Sequence, residues 1–276
     1  MGMLKIPKKV ADRLISNLKT YQAVASSHKS KDVSEADTVT LIKDILSYCF
    51  GYDKYQELTS EQQIRGTFCD LAVKIEGKIR YLIEVKAAGV NLNDSHLRQA
   101  LSYGVNHGIE WIVLTNAIEW RLYRVKFSQP IDYEEISSFN FVEVSAKNDE
   151  DLKKIFLLCR EGIGSDAMSA YHQHTQILNR YTVAQVILTE PVIAIVRREL
   201  RKLFPESKID QQQILDILNN DVLKREVIEG EKAKESQQKI RRIISKNAKL
   251  EEEKTTKSEQ PTTSAPTEEI LGKFTK

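Results

Sequence analysis

The sequence predicts an α/β fold followed by a small all-helical C-terminal domain and a disordered tail. Two β-rich runs, residues 68–76 and 78–86, meet at a turn signal and predict an antiparallel hairpin. A continuous apolar run at 111–114 follows a helical pattern, which predicts a parallel strand after a crossover. From about residue 168 the apolar spacing becomes that of helices. The predicted domains are a basic N-terminal helical arm (1–30), the α/β domain (31–165), the helical domain (166–230) and a charged, largely disordered tail (231–276).

The first helix of the α/β domain is predicted to begin after Ser34 and to end near Tyr48. Ser34 and Asp37 have the spacing of a capping box. Glu35 falls on the apolar stripe of this helix at its first turn, where a carboxylate stabilises the positive helix end. The apolar members of the stripe are Val39, Ile42, Leu46 and Cys49.

The hairpin is predicted to turn at Glu76–Lys78. If it is centred on Gly77, Asp70 lies directly opposite Glu84, with Cβ atoms roughly 4.5–5.5 Å apart. Lys86 lies on the same face as Glu84, because side chains alternate along a strand. The residues predicted to face the other way are Tyr81, Ile83 and Val85.

The carboxylates of Asp70 and Glu84 indicate a site for a hard divalent cation, because two carboxylates this close repel each other without a cation or proton between them. Mg²⁺ prefers oxygen ligands and often takes only one or two carboxylates, with waters and substrate phosphate completing its shell. The alternative from the spacing alone is a surface hairpin with a cross-strand salt bridge. Glu-x-Lys also occurs at 76–78, 206–208 and 252–254, but only at Glu84 does an apolar strand precede it.

A second helix is predicted over residues 95–103. Leu97 and Leu101 form its apolar face, whereas Gln99 and Tyr103 are an i, i+4 pair on nearly the opposite face. A solvated polar face is one interpretation of that pair.

Three later elements complete the α/β domain. Residues 111–114 predict a buried strand parallel to the second hairpin strand, and residues 119–125 an antiparallel neighbour. Residues 139–144 predict one more short strand. Asn148 and Asp149 are predicted to cap a helix that ends near Cys159.

Asp70 followed by Glu84-Val-Lys86 resembles the PD-(D/E)xK nuclease superfamily. The wider pattern, over roughly residues 30–160, resembles the N-terminal nuclease domain of type I restriction enzyme R (motor) subunits and its stand-alone relatives. Five segments in the same order carry the resemblance: Phe50–Asp53, Gly66–Asp70, Gln99–Tyr103, Leu114–Asn116 and Trp120–Tyr123. This chain departs from the pattern at Ala117, where the family often has glycine. It also contains no Gly-x-x-x-x-Gly-Lys-[Ser/Thr] phosphate loop, so the ATP-driven motor is predicted to be absent.

The resemblance implies a restriction-endonuclease-like mixed central sheet flanked by helices, and Mg²⁺-dependent DNA cleavage. On this hypothesis Asp70 and Glu84 bind the metal, the Val85 carbonyl is a third ligand, and Lys86 serves the attacking water or the transition state. The resemblance also implies that Glu35 points inward at the metal, and that the Gln-x-x-x-Tyr element helps to position the phosphate. That element is Gln99 and Tyr103.

Composition is compatible with this hypothesis without requiring it. The formal net charge is +2, so the total charge does not demand a nucleic-acid partner. Lysines and one arginine make residues 5–31 basic, which fits either contact with a DNA backbone or a solvated helix face. Cys49, Cys69 and Cys159 are predicted to be reduced core thiols of a cytoplasmic protein, and His172 and His174 are too isolated for a metal site. No signal peptide or membrane-spanning run is predicted.

The sequence therefore predicts a Mg²⁺-dependent endonuclease that hydrolyses DNA, with Mn²⁺ as a substitute metal and RNA as an alternative substrate. Two alternatives stay open. One is a nucleic-acid-binding or regulatory module without turnover, and the other is a nuclease subunit that is active only within a larger defence or restriction assembly. The helical domain is predicted to hold DNA, to form a homo-oligomer or to dock a partner subunit.

Overall fold

The computed structural model describes residues 4–64 and 67–258. Its contacts divide the chain into two compact units, Met1–His174 and Thr175–Lys276. The first unit contains a mixed sheet with helices, and the second is helical in its described part. The predicted α/β fold with a helical C-terminal region is confirmed. Gly66, which belongs to one of the motif segments, lies outside the described residues.

The first unit alternates between helices and strands. Its strands are β1 (Leu58–Ile64), β2 (Thr67–Ile75), β3 (Lys78–Val85), β4 (Trp111–Thr115), β5 (Glu119–Lys126) and β6 (Asp132–Asn140). Its helices are α1 (Lys8–Ser30), α2 (Glu35–Asp44), α3 (Arg98–His107), α4 (Asp149–Leu158), α5 (Arg160–Gly164) and α6 (Ala167–Ile177). A π-helical segment continues α2, and a 3-10 turn leads into α3; they cover Ile45–Cys49 and Asp94–Leu97. The boundary between the two units falls within α6.

The strands lie in the sheet in the order in which they follow one another along the chain. All neighbours are antiparallel except β3 and β4, which are parallel and are joined through α3. The predicted parallel strand at 111–114 and its antiparallel neighbour are therefore confirmed. These pairings make the central sheet mixed.

The last strand of the first unit is not where the sequence pattern predicts it. Residues 132–140 form β6, whereas Phe141 and the residues after it form a turn. Phe141 and Val144 are buried, so the apolar pattern there reflects packing of a turn on the core. The described sheet ends at β6, whose first half is polar, as is common where one side of a strand is solvated.

Both faces of the sheet are covered, which explains the apolar sequence of β3. Its alternating residues Tyr81, Ile83 and Val85 belong to one core cluster, and Leu82 belongs to a second cluster that includes Ala100 of α3. A strand buried on both faces is expected in α/β proteins. The basic N-terminal segment also contributes to the first cluster, through α1 residues Val10, Leu14 and Leu18.

The Arg13 side chain fastens α1 to two other elements. Its guanidinium donates to the carbonyl oxygens of Cys49 (3.0 Å) and Phe50 (3.2 Å), at the end of the π-helical segment. It also pairs with both carboxylate oxygens of Glu161, at 2.9 and 2.8 Å. Gly51 has φ +88°, and a Cβ there would lie 2.5 Å from the Arg13 guanidinium, so this position requires glycine.

The second unit consists of short helices and one long helix. They are α7 (Arg180–Ile187), α8 (Glu190–Leu203), α9 (Gln211–Ile217) with a π-helical continuation (Leu218–Val222), α10 (Arg225–Ile228) and α11 (Glu231–Ser258). Pro191 lies in the first turn of α8, as predicted. Residues 231–258 of the tail that was predicted to be largely disordered form helix α11, and the rest of that tail lies outside the described residues. The four predicted domain boundaries stay a prediction. No helix in 4–64 and 67–258 is both long and apolar enough to cross a membrane.

We expect Arg13→Ala to lower the free energy of unfolding by about 2–3 kcal/mol at pH 7, because it removes the bidentate partner of the partly buried Glu161 carboxylate and a donor to two carbonyls. Lys9 still contacts Glu161, and the Arg160 N–H still donates to the Phe50 carbonyl. Urea denaturation measures this free energy. Lys19→Ala, at an exposed position of α1, is the matched control and should change it by less than about 0.5 kcal/mol.

The effect of Arg13→Ala should also depend on pH. Burial opposes ionisation of Glu161, but the hydrogen bonds and charge of Arg13, the backbone N–H of Glu161 itself and the contact with Lys9 together outweigh burial and lower the pKa of Glu161 from 4.5 to about 2. Stability from this pair is therefore present above about pH 4.5 and is lost as the pH falls towards 2. An Arg13→Ala deficit that stays constant from pH 7 to pH 3 would contradict this assignment.

Candidate active site

The turn of the β2–β3 hairpin is one residue tighter than predicted. Ile75 pairs with Lys78 around Glu76 and Gly77, whose φ angles are +53° and +75°. Positive φ at both central residues is typical of the two-residue type I′ turn. The centre of the hairpin therefore lies between Glu76 and Gly77 and not on Gly77.

A β-bulge compensates for the tighter turn. Lys74 pairs with Ile79 but Val73 pairs with Tyr81, so Arg80 is an extra residue in β3. Beyond the bulge Leu71 lies opposite Ile83. The same register continued by one residue places Asp70 opposite Glu84, the arrangement that the sequence predicts.

The side chains of Asp70, Glu84 and Lys86 meet where β3 ends. Asp70 Oδ2 accepts a hydrogen bond from the backbone N–H of Val85 at 2.7 Å. Lys86 Nζ donates to Glu84 Oε1 at 2.7 Å and to the Val85 carbonyl oxygen at 2.8 Å. The backbone N–H of Lys86 donates to the Thr115 carbonyl of β4, so the sheet holds the last residue of this group as well.

Glu84 is the most buried of these charged groups. The residue is 2 % exposed, and its Oε2 has no hydrogen-bond partner in the described part of the chain. Burial raises the pKa of Glu84 to about 7, and the charge of Asp70 adds to the rise, while Lys86 opposes it. In the absence of a bound cation, Glu84 is therefore partly protonated at neutral pH.

Lys86 keeps its proton more firmly than an ordinary lysine. Burial disfavours its charged form, but the hydrogen bond to Glu84 and the surrounding carboxylates outweigh burial and raise the pKa of Lys86. Glu35 is one of those carboxylates, since its Oε2 lies 3.7 Å from Lys86 Nζ. Glu35 begins α2, and its side chain is 49 % exposed beside Lys86. Its predicted inward orientation towards a metal stays a prediction.

Gln99 and Tyr103 lie on α3 but differ in environment. Gln99 is exposed, whereas Tyr103 is fully buried in the second core cluster beside the His107 ring, with ring centroids 4.6 Å apart. The hydroxyl of Tyr103 has no hydrogen-bond partner within the described residues. The solvated polar face that was one interpretation of this pair is therefore absent at Tyr103.

Three polar residues that sequence reasoning did not assign to the site hold the segment after Lys86. Thr38 Oγ1 accepts from the Ala88 N–H at 3.2 Å, and the Asn116 side chain donates to the Val90 carbonyl at 2.8 Å. Arg121 donates to the Leu92 carbonyl at 3.3 Å. Thr38 and Asn116 are buried, and the signal available in the sequence was a polar residue at an otherwise apolar position.

The carboxylates at the end of β3 are compatible with a magnesium ion. In the described residues, no group of three or more His, Cys, Asp and Glu side chains is arranged to hold a metal ion. Asp70 and Glu84 provide two carboxylates, and the unpartnered Glu84 Oε2 is a buried oxygen that a cation would satisfy. Mg²⁺ often uses only one or two protein carboxylates, so this donor set is compatible with it.

Comparison with known proteins agrees with the geometry. Residues 41–139 match the family model of the type I restriction enzyme R protein N terminus (HSDR_N). The match covers little more than a third of the chain, from within α2 to the end of β6. The resemblance to the nuclease domain of the R proteins is therefore confirmed for this segment, and it supports a nuclease-like role. No curated protein and no solved structure matches the chain.

The segment that matches the family model contains nearly all of the predicted site. Glu35 alone lies outside it, six residues before its start. The predicted site residues inside it are Asp70, Glu84, Val85, Lys86, Gln99 and Tyr103.

We expect the burial of Glu84 to make the metal-free protein less stable at high pH. A carboxyl whose pKa is raised from 4.5 to about 7 favours the folded state at low pH, and this contribution is lost as the pH rises through 7. Between pH 5 and 8 the wild type should therefore lose about 2–3 kcal/mol relative to Glu84→Gln, as measured by urea unfolding in EDTA.

Glu76→Gln is the matched control, because Glu76 is exposed at the turn of the same hairpin. Its unfolding free energy should follow that of the wild type at every pH. Parallel curves for the wild type and Glu84→Gln would show that Glu84 titrates normally.

Proposed function

We propose that the first unit is a Mg²⁺-dependent endonuclease of the PD-(D/E)xK type, which hydrolyses phosphodiester bonds of DNA. The observation that carries the proposal is the convergence of Asp70, Glu84 and Lys86 at the end of β3. Two hydrogen bonds of 2.7 Å link this group, one from the Val85 N–H to Asp70 and one from Lys86 to Glu84. A cross-strand salt bridge on a surface hairpin does not account for a buried glutamate with an oxygen that has no partner among the described residues.

Asp70 and Glu84 would hold the metal, with the Val85 carbonyl as a third oxygen, and Mn²⁺ is an expected substitute for Mg²⁺. When bound, the ion polarises the scissile phosphate and lowers the pKa of a coordinated water. The Asp70 carboxylate is already oriented, because Val85 donates to one of its oxygens. The burial of Glu84 keeps competing water away and strengthens its attraction to a cation.

Lys86 would stabilise negative charge on the phosphoryl group. Its raised pKa keeps the amine protonated at neutral pH, so it is better suited to neutralise charge than to accept a proton from water. Two hydrogen bonds orient the ammonium towards the same oxygens that would hold the metal. The half-exposed Glu35 would support the metal from the first turn of α2.

Gln99 and Tyr103 receive different roles in this proposal. Gln99 is exposed on α3, where its amide can contact a substrate phosphate. Tyr103 is buried, so we assign it to positioning α3 by packing and not to direct contact with the substrate.

The activity is proposed to need no ATP-driven motor in this chain, because the sequence has no phosphate loop of the P-loop type. DNA is the proposed substrate, and RNA is the alternative that the same assay tests. The three buried free cysteines agree with the predicted cytoplasmic location.

Plasmid cleavage with and without Mg²⁺ tests the function. We expect the purified protein to nick or linearise DNA with Mg²⁺ and to be inactive in EDTA. Substitution of Asp70, Glu84 or Lys86 by Ala should lower the rate by at least about 10²-fold, since each removes a charge from the reacting centre.

The matched control is Lys78→Ala, which removes the lysine of the other Glu-x-Lys sequence in the same hairpin. Lys78 is exposed at the turn, so this variant should cleave at the wild-type rate. Undiminished cleavage by Lys86→Ala would refute the role of Lys86. Absence of cleavage of DNA and RNA by the wild type with either metal would favour a module that does not cleave.

Thermal unfolding provides a readout that does not depend on turnover. At pH 8 millimolar Mg²⁺ should raise the Tm of the wild type, because a ligand that binds only the folded state stabilises it. The shift should be smaller for Glu84→Gln and Asp70→Asn, and it should be unchanged for Glu76→Gln. An equal shift for all four proteins would place the metal elsewhere.

A further inference from the structure

Helix α8 of the second unit concentrates positive charge on one face. Its four cations follow Ala194 by three, four, seven and eight residues, so their side chains share one side of the helix. They are Arg197, Arg198, Arg201 and Lys202. With the Gln211 side chain of α9 they line an open groove of about 390 Å³. The residues of this groove, here called the basic groove, are Ala194, Arg197, Arg198, Arg201, Lys202 and Gln211.

Like charges on this face lower the stability of the isolated helix. Arg197 and Arg201, and likewise Arg198 and Lys202, are i, i+4 pairs of equal sign, which destabilise a helix. The only acid in the sequence from 194 to 202 is Glu199, which pairs with Arg198 at 3.1 Å and with Lys202 at 3.0 Å. An anion in the groove would relieve the remaining repulsion.

The helix dipole explains only part of the pattern. Arg201 and Lys202 lie in the last turn, where cations stabilise a helix end. Arg197 and Arg198 lie before that turn. Arg197 is half-buried, and its Nε donates to the Ile209 carbonyl at 2.9 Å, so its guanidinium is held beside the groove.

The groove is suited to phosphate in both shape and chemistry. The side chain of Ala194 is short, which leaves room for an anion between the longer cations. Three guanidinium groups present planar donors that match phosphate oxygens. Ile193 of α8 is buried next to the basic side, whereas the side chains of Arg198, Arg201 and Lys202 are exposed to solvent.

A second basic surface in the same unit favours a long polyanion over a small ion. On α11, Arg241, Arg242, Ser245 and Lys246 line another open groove, of about 440 Å³. The three cations are exposed and lie within six residues of sequence. A regularly spaced chain of phosphates can engage several such sites at once, whereas a single small anion engages one.

We propose that the basic groove of α8 binds the phosphate backbone of duplex DNA, independently of its sequence. The choice of DNA as the polyanion rests on the proposed function of the first unit. The groove would therefore add affinity for DNA through charge, while cleavage chemistry stays with Asp70, Glu84 and Lys86.

The test measures binding of the full chain to a short fluorescent DNA duplex by anisotropy, in EDTA so that no cleavage occurs. Salt is varied between about 50 and 200 mM. The triple variant Arg198→Gln/Arg201→Gln/Lys202→Gln should bind at least about tenfold more weakly at the lowest salt, and its log–log salt slope should fall in magnitude by about 2–3. The single variant Arg201→Gln should lower the slope by about 1.

The matched control removes three cations from elsewhere in the same unit. Arg225→Gln/Lys232→Gln/Lys234→Gln changes the net charge equally, at exposed positions of α10 and α11 that alternate with glutamates. We expect its salt slope to equal that of the wild type within about 0.5. An equal loss in this control, or wild-type binding by both α8 variants, would overturn the proposal.

Two further measurements distinguish this proposal from binding to a lipid surface and from the proposed nuclease function. In one arm phosphatidylserine vesicles replace DNA. If vesicle binding requires the cations of α8 and DNA binding does not, the proposal is overturned. Plasmid cleavage is measured in parallel in the other arm. DNA binding that depends on α8 without cleavage would refute the proposed function alone, and cleavage with binding indifferent to α8 would refute this inference alone.

Discussion

The register of the β2–β3 hairpin is the constraint on which the candidate site depends. Side chains alternate with a period of two, so a slip of one residue would move Glu84 to the face that Ile83 and Val85 now occupy. The two-residue turn at Glu76 and Gly77 alone would produce that slip relative to Asp70. The extra residue Arg80 cancels it, and bulges that re-aim a side chain are common beside active sites. Turn and bulge together therefore bring the two carboxylates to one face.

Once the carboxylates share a face, electrostatics sets the properties of the site. Within the described residues, the acids Asp70, Glu84 and Glu35 lie around the Lys86 ammonium, and Glu84 is buried with one oxygen unpartnered. Such a group would lower stability wherever the site has no cation and the pH is high enough to ionise it. The surrounding structure tolerates this cost because the sheet is packed on both faces and polar residues of α2, β5 and the β4–β5 turn fix the segment after Lys86.

Sequence reasoning predicted the fold, and the placement of Asp70 opposite Glu84, because the strongest signals are local. The apolar run of β4, the turn glycine at 77 and the capping serine at 34 each act within a few residues, and each predicted its element. Features that depend on distant packing were missed. Phe141 fits the apolar pattern of a strand, but it is apolar because a turn packs it onto the core. The environment of Tyr103 depends on the sheet beneath α3. An exposed, charged residue such as Arg80 gives no sequence signal for a β-bulge. Only the pairing of the two strands reveals the bulge.

The contacts of Arg13 with Glu161 and with the carbonyls of Cys49 and Phe50 limit where the first unit can be cut into a shorter fragment. The segment that matches the R-protein family begins within α2 and ends with β6, so it contains neither Arg13 nor Glu161. A fragment with those limits would also lack α1 and α4, so Ile83 and Trp120 of the sheet, and Phe50 after the π-helical segment, would lose part of the apolar cluster that covers them. Such a fragment would expose a broad apolar surface and tend to aggregate. The smallest stable fragment of the first unit therefore has to extend beyond the matched segment at both ends.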